Sequence, residues 1–189
     1  MEVPELLERC RAGDPLAWEA LVRQFQGRVY SLALFYLGQP EEARDLSQEV
    51  FVRLYRNLDR CTNDETFVPW LIQIARNAAI DRLRRIQARP QGRSVPLDDV
   101  TDLAADLPGP AEELERSRRR DLIHRALARL SHINREVILL KEIQGLSLET
   151  IAGMVRAPLG TVKSRSNRAR IELARVLTEM AREEPGARP

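Results

Sequence analysis

The sequence predicts an all-α protein, with an N-terminal helical bundle and a C-terminal helix-turn-helix domain joined by a Pro/Asp-rich linker. Three observations carry this expectation. The chain is 43% apolar but only 5% aromatic and is rich in Leu, Ala, Arg and Glu, side chains that keep much of their rotamer freedom in a helix. Its apolar residues recur at spacings of three and four over most of its 189 residues, the period of one helix face. That pattern stops between Gln87 and Pro110, where Pro90, Gly92, Pro96, Pro108, Gly109 and Pro110 alternate with Asp98, Asp99, Asp102 and Asp106. Proline removes a backbone donor and clashes with helix continuation, so residues 87–110 read as a flexible acidic linker between domains at 1–86 and 111–189.

In the N-terminal domain, Asp14-Pro15 has the form of a cap followed by a first-turn proline, opening a helix over Pro15–Gln26. Leu16, Ala20, Leu21 and Phe25 fall on one side of it. Val29, Leu32, Ala33, Tyr36 and Leu37 extend the helical spacing until Gly38 ends it. Pro40 starts another helix, with Ala43, Leu46, Val50, Phe51, Leu54 and Leu58 as its apolar stripe. A last helix spans Phe67–Ile86, its inner side carrying Trp70, Leu71, Ile74, Ala78 and Leu83, with Trp70 read as core. The C-terminal domain opens with a charged helix, Ala111–Leu130, whose Glu112–Arg116 and Glu115–Arg119 spacings make a solvated face of the Arg116–Arg120 run. Helices over Asn134–Ile143, Ser147–Val155 and Leu159–Met180 follow.

Several function classes are excluded. No apolar run approaches the roughly 20 residues that span a bilayer, and Met1-Glu2-Val3-Pro4-Glu5 has none of the features of a signal peptide. The expectation is a cytoplasmic protein without membrane insertion. Cys10 and Cys61 have no CxxC spacing, and His124 and His132 have no acidic or cysteine partners at ligand spacing, so neither a disulfide, a metal nor a cofactor is expected. No Walker loop or Ser/His/Asp arrangement is present, which argues against an enzyme.

The net charge of +2 hides an asymmetry: residues 1–86 carry −1, residues 87–115 carry −5 and residues 116–189 carry +8. A basic last third suits a polyanion. Within it, Gly145 ends one helix, Ser147 can cap the next, and Ile151, Ala152 and Val155 form a short apolar face. Pro158 then fixes φ at the start of a further helix. A support helix, a brief turn and a basic helix in that order form a helix-turn-helix. In the basic helix, Val162, Ala169, Leu173, Val176 and Met180 follow core spacing, while Thr161, Lys163, Ser164, Asn167 and Arg168 lie on the other faces of its N-terminal half. That half of a recognition helix meets bases and phosphates; Lys and Arg neutralise phosphate or donate to guanine, and Asn pairs with adenine.

Three segments, in order, resemble the extracytoplasmic-function (ECF) group of sigma-70-type sigma factors. Glu42-Ala43-Arg44-Asp45-Leu46-Ser47-Gln48-Glu49-Val50-Phe51-Val52-Arg53-Leu54-Tyr55 is similar to that family's polymerase-binding helix. Residues 67–85, from Phe67-Val68-Pro69-Trp70 to Asp81-Arg82-Leu83-Arg84-Arg85, resemble its promoter-melting and minus-ten helix. Gly160-Thr161-Val162-Lys163-Ser164-Arg165, followed by Arg168-Ala169-Arg170, is similar to its minus-thirty-five reader. Ser166 and Asn167 depart from the family, which usually carries a bulky apolar residue at the first position and often an aromatic or histidine at the second.

The resemblance implies a sigma factor that binds RNA polymerase core, at the clamp helices of its largest subunit and at its flap, and directs promoter-specific initiation. It places core binding on Asp45, Leu46, Gln48, Glu49 and Arg53. It places minus-ten DNA on the loop residues Arg60, Cys61, Thr62 and Asn63, resembling a segment that captures one flipped base, and on Arg76, Asn77, Asp81 and Arg84. Minus-thirty-five DNA falls to Thr161, Lys163, Ser164, Asn167 and Arg168. An anti-sigma factor is a further partner that the family admits. The alternative is a DNA-binding regulator that uses the helix-turn-helix without being a polymerase subunit. The segments around Asp45–Tyr55 and Phe67–Arg85 discriminate against it, because such a regulator needs neither.

Overall fold

The computed structural model describes residues 2–61, 63–88, 122–123 and 125–183. The chain divides into two compact units, Met1–Ala105 and Asp106–Pro189, with the division inside the expected linker. Residues 89–110 of the expected linker, the Arg116–Arg120 run and His124 lie outside the described residues, while Gln87 belongs to the last helix of the first unit. Among the described residues the secondary structure is helical, without strands, and no helix is long and apolar enough to cross a membrane.

The first unit begins with a helix that its sequence did not announce, α1 (Val3–Arg11). A first-turn proline, Glu5 near the N-terminus and Arg9 and Arg11 in the last turn all suit a helix dipole. With only nine residues, it is too short for its period to stand out, but Leu6, Leu7 and Cys10 form a buried stripe. α2 (Pro15–Leu37) then runs as one helix, its N-terminus capped by Asp14, whose Oδ1 accepts from the amides of Leu16 (2.9 Å) and Ala17 (3.3 Å). Arg9 donates to the other oxygen of Asp14 at 2.6 Å, and this bond holds the carboxyl below the usual carboxylate range. α2 ends where Gly38 takes φ 68°, which a Cβ would disfavour.

The inward stripe of α2 is Ala17, Leu21, Phe25, Val29 and Leu32, whereas Leu16 is 71% exposed and Ala20 half-buried. The expected stripe is one residue out of phase at its start, because the phase of a stripe is set by what packs on it. Beyond Leu32 almost every position of α2 is buried, because α1, α3 (Pro40–Asn57) and α4 (Phe67–Gln87) all pack on it. α3 contributes Ala43, Leu46, Val50, Phe51 and Leu54, and Ser47 returns its hydroxyl to the carbonyl of Ala43 at 2.7 Å. α4 buries Phe67, Leu71, Ile72, Ala75, Ala78 and Ala79, a wider face than expected, while Trp70, Ile74 and Leu83 are half-buried at its margins. Phe67 meets Phe25 edge-on with centroids 5.3 Å apart. Arg82 joins Glu42 at 2.7 Å, linking α4 to α3.

The second unit contains α5 (His132–Ile138), which widens into a π turn over Leu139–Ile143, then α6 (Leu148–Val155) and α7 (Leu159–Glu183). Ser131 caps α5 and Ser147 caps α6, the latter accepting from the Thr150 amide at 3.0 Å. Gly145, at φ 69°, reverses the chain between them. Ala126, Leu127, Leu130, Ile138, Ala169, Val176 and Met180 form the core, with Leu122, Leu173 and Leu177 packed against it. Ile151 and Met154 bury the inner face of α6, and Ala152 and Val155 are half-buried beside them. Arg135 donates to the carbonyls of Ala128 (2.6 Å) and Leu130 (3.1 Å), satisfying acceptors at the end of the preceding helical segment.

Leu54→Ala removes a fully buried side chain and should cost about 2–5 kcal/mol, whereas Leu16→Ala should cost well under about 1 kcal/mol. Both tryptophans, Trp18 and Trp70, lie in the first unit. Denaturant unfolding followed by tryptophan fluorescence therefore isolates this comparison from the second unit.

Candidate nucleic-acid interface

Burying one stripe of each helix leaves three polar surfaces bare. On α3 the outer face carries Asp45, Gln48, Val52 and Tyr55, at helical spacings of three and four, with Val52 49% and Tyr55 65% exposed. Tyr55 is braced edge-on by Trp18 at 5.0 Å. Glu49 is half-buried and accepts from Arg53 one turn on, so these two expected core-binding residues pair with each other. Leu46 does not belong to the surface: at 1% exposure it faces the core, where its position next to Asp45 necessarily turns it. The apolar half of the outer face, Val52 and Tyr55, escaped a reading that looked for charge. Its signal was the same spacing continued from Asp45.

On α4, Asn77, Asp81, Arg84 and Arg85 are exposed and share one stripe, and Arg76 is half-buried. Gln73 donates to Asn77 Oδ1 at 2.7 Å, which leaves the Asn77 amide nitrogen to donate elsewhere. Asp81 and Arg84 are 3.9 Å apart with both side chains largely in solvent, a weak pairing. The preceding loop contains two 3-10 turns, Leu58–Arg60 and Asp64–Thr66. Arg60 and Asn63 are exposed, Thr62 lies outside the described residues, and Cys61 is only 5% exposed. The expectation that the Cys61 side chain meets DNA is therefore corrected: its thiol points inward, near the Asn63 carbonyl at 3.5 Å, and burial raises its pKa. What holds this loop comes from far away. Arg11 on α1 donates from Nη2 to the Cys61 carbonyl at 2.7 Å and to Asp64 Oδ1 at 2.8 Å. No local sequence signal connects residues 50 and 53 positions apart.

On α7 the expected division holds. Val162 and Ala169 are fully buried, while Lys163, Ser164, Asn167 and Arg168 are exposed and Thr161 is half-buried. Ser166 is 4% exposed, so the inward position keeps its orientation although the side chain there is small and polar. The arginines of this helix sort by partner. Arg170 donates to Glu142 at 2.7 Å and Arg175 to Glu179 at 3.0 Å. Lys163 and Arg168 have no ion pair among the described residues. Asn134 also donates to Glu172 at 2.6 Å, fixing the middle of α7 to the start of α5. Among the described residues, no group of three His, Cys, Asp or Glu side chains is placed to hold a metal. Cys10 and Cys61 are both buried free thiols, each raised in pKa chiefly by desolvation.

Residues 21–89 match the family described as Sigma-70 region 2, and residues 120–173 match Sigma-70, region 4. The RNA polymerase sigma-H factor of Pseudomonas aeruginosa is 32% identical over 184 residues, covering 95% of each chain. The ECF RNA polymerase sigma factor SigW of Bacillus subtilis is 31% identical over 95% of this chain and 99% of its own. The ECF RNA polymerase sigma-E factor of Escherichia coli is 34% identical over 87% of this chain and 88% of its own. Among solved structures, the sigma factor RpoE in complex with the anti-sigma factor NepR, from Bartonella quintana, superposes with a TM-score of 0.64 at 24% identity, covering 85% of this chain and 96% of that one. CnrH in complex with the cytosolic domain of CnrY gives a TM-score of 0.61 at 24% identity, covering 94% and 97%. At that identity both likenesses speak for the fold.

The turn between α6 and α7 carries a testable strain. Arg156 caps α6 at φ 53°, a left-handed conformation that costs a non-glycine residue roughly 1 kcal/mol. Arg156→Gly should therefore stabilise the second unit by about 0.5–1 kcal/mol. Thermal unfolding followed by far-ultraviolet circular dichroism, with the first unit's transition assigned from its tryptophans, measures the difference.

Proposed function

Because the chain belongs to the ECF group of sigma-70-type RNA polymerase sigma factors, we propose that its three bare polar surfaces divide the work of promoter-specific initiation. The chain is a transcription initiation factor that binds RNA polymerase core and promoter DNA. The finer assignments are the proposal. Residues 1–86 form the core-binding and minus-ten domain, 87–110 the connecting linker and 111–189 the minus-thirty-five domain. The observation that carries it is the coincidence of an outward acidic-to-apolar face on α3 with an outward polar stripe on α4 in one unit, and with exposed Lys163, Ser164, Asn167 and Arg168 on a helix-turn-helix in the other.

On α3, Asp45 and Gln48 offer acceptors to a basic helical surface such as the polymerase clamp, and Val52 and Tyr55 offer desolvatable area beside them. Interfaces are strongest where a buried aromatic or apolar anchor is ringed by polar contacts. Glu49 and Arg53 contribute as a pair rather than as separate charges. On α4, Asn77, Asp81 and Arg84 display donors and acceptors to a single strand, with Arg60 and Asn63 on the loop beside them. Unstacking a base costs a few kcal/mol, and contacts made only to the opened strand return that cost. On α7, Lys163 and Arg168 neutralise phosphate while Ser164 and Asn167 address base edges. The protein works in the cytoplasm as an accessory to the polymerase, contributing no catalytic group of its own. An anti-sigma factor is its regulatory partner, a reading supported by the related RpoE fold having been solved with one. A regulator acting through its helix-turn-helix alone is disfavoured, since it has no use for the region 2 match.

Asp45→Lys in the full chain should reduce co-purification with core enzyme by a few kcal/mol of binding, as reversed interface charges do, with helix content unchanged. Adding Glu49→Lys exchanges the ion pair with Arg53 for a like-charge pair, a helix penalty of about 0.4–1 kcal/mol, so any loss beyond that belongs to the interface. Undiminished capture of core by the double variant would refute the α3 assignment.

Lys163 and Arg168 sit five residues apart, about 140° around a helix at ~100° per residue, so they flank a groove with Ser164 and Asn167 between them. With holoenzyme and duplex minus-thirty-five variants, Lys163→Ala and Arg168→Ala should each weaken all sequences and lower the salt slope by about 0.9 per lost phosphate contact. Asn167→Ala should instead relax preference at one base, by roughly 1–3 kcal/mol. If affinity, salt slope and preference all survive the three substitutions, α7 does not read DNA.

A further inference from the structure

We propose that Arg11 is a positioning residue for strand capture: from α1 it holds the loop before α4 in the shape that receives a base of the opened minus-ten strand. The inference rests on the reading that this loop meets single-stranded DNA.

Among the described residues, the other hydrogen bonds of this loop are short-range. The Cys61 amide closes on the Leu58 carbonyl at 3.0 Å, the Asn63 side chain accepts from the Glu65 amide at 2.9 Å, and the Thr66 amide and hydroxyl both donate to the Asn63 carbonyl, at 3.1 and 2.7 Å. Such turns set the loop's local curvature but not its position over the bundle. Position comes from the Cys61 side chain, buried to 5% exposure, and from Arg11, whose Nη2 bridges the Cys61 carbonyl and the Asp64 carboxylate on either side of Asn63. The two anchors bracket the exposed Asn63 side chain at the loop's outer edge.

Arg11 can serve as an anchor because α1 is itself fixed. Leu6 and Leu7 are 1% and 0% exposed, and Arg9 on the same helix grips Asp14, which caps α2. Both bonds leave one nitrogen, Nη2, whose two N–H groups lie in the guanidinium plane and reach the carbonyl and the carboxylate together, whereas a lysine ammonium is a rotating point charge on a shorter stem. A pocket for one base must be held within a fraction of an ångström by neighbours that do not themselves touch the ligand. A loop released from Arg11 would have to be ordered when the strand binds, and that ordering would be subtracted from affinity.

The test uses the full chain assembled with core enzyme and fluorescent single-stranded minus-ten oligonucleotides varied one base at a time. Arg11→Ala should weaken the preferred strand about tenfold, the scale of losing hydrogen bonds from a charged group, and should flatten preference at one base position. Asn63→Ala should flatten preference at that same position, and the double variant should be no worse than the more severe single one. Arg11→Lys should fall between wild type and Arg11→Ala, and Asp64→Asn should reproduce a milder form of the same change. Capture of core should be unaffected by Arg11→Ala, and tryptophan fluorescence sets a temperature at which every variant is folded. If Asn63→Ala alters base preference and Arg11→Ala does not, the positioning role is overturned while the loop's contact with DNA stands. An equal loss for every base after Arg11→Ala also overturns it, reducing Arg11 to a structural tie. If no loop variant alters affinity or preference, the loop does not meet the strand, and the proposal falls with the reading beneath it.

Discussion

The first unit depends on the burial of α2. Its second half is covered on nearly every side, with Leu32, Ala33, Leu34, Tyr36 and Leu37 each under a tenth exposed. Such a helix forms because α1, α3 and α4 each bring an apolar stripe to it, and each fully buried aliphatic side chain contributes roughly 1.5–3 kcal/mol. The consequence reaches the surface. Since α3 and α4 spend one stripe on the core, the opposite stripe of each is free of packing duty, and there Asp45, Gln48, Asn77 and Asp81 stand exposed. The binding surfaces are the complement of the core, and a shift in α2 would move both together.

Within those surfaces, ion pairing separates structural charge from available charge. Arg9, Arg11, Arg82 and Arg170 reach across from their own helices to carboxylates on other segments, and in doing so they fix a cap, a loop, a helix crossing and the flank of α7. Arg135 is half-buried against backbone carbonyls, and desolvation lowers its pKa. Lys163 and Arg168 are exposed without such partners among the described residues. A basic side chain already neutralised must give up its partner before it can serve a phosphate, so an arginine count overstates the charge a helix presents. The distinction is sharpest on α7, where Arg168 and Arg170 stand two residues apart yet face different surroundings.

How much of this was legible in the sequence depends on the range of the cause. The long helices, the Asp14 and Ser147 caps, the stops at Gly38 and Gly145, and the inward Val162 and Ala169 all arise from interactions within a few residues. Periodicity and turn chemistry report such interactions directly. Errors came at helix margins, where the phase of a stripe is set by what packs on it: Leu16 turned outward, and Ile72 and Ala79 turned inward because α4 is covered over a wider arc. Leu46 and Cys61 were placed in the site by resemblance to motifs, which run through inward and outward residues alike. The Arg11 bridge was not legible at all. Its partners come within reach through the packing of α1 on α2 and on the Asp64–Thr66 turn, a fact of tertiary structure.

The π turn at Leu139–Ile143 shows how such tertiary demands rewrite a local pattern. A π turn carries one residue more than the α turn it replaces, so the residues beyond it are rotated relative to those before it. Before the turn, Glu136, Val137 and Ile138 are buried, and Leu139 and Leu140 within it are also buried, a run of five that a regular helix cannot bury on one face. The amides of Gln144 and Leu146 close the wider turn on the carbonyls of Leu139 (2.9 Å) and Leu140 (3.1 Å). The same rotation brings Glu142 out of the stripe and into reach of Arg170 on α7. With Asn134 held to Glu172 as well, α7 is fastened at its centre, and its N-terminal half projects Lys163, Ser164, Asn167 and Arg168 from a fixed base. A recognition helix needs that rigidity, because a base edge is read by bonds that tolerate only small errors in position.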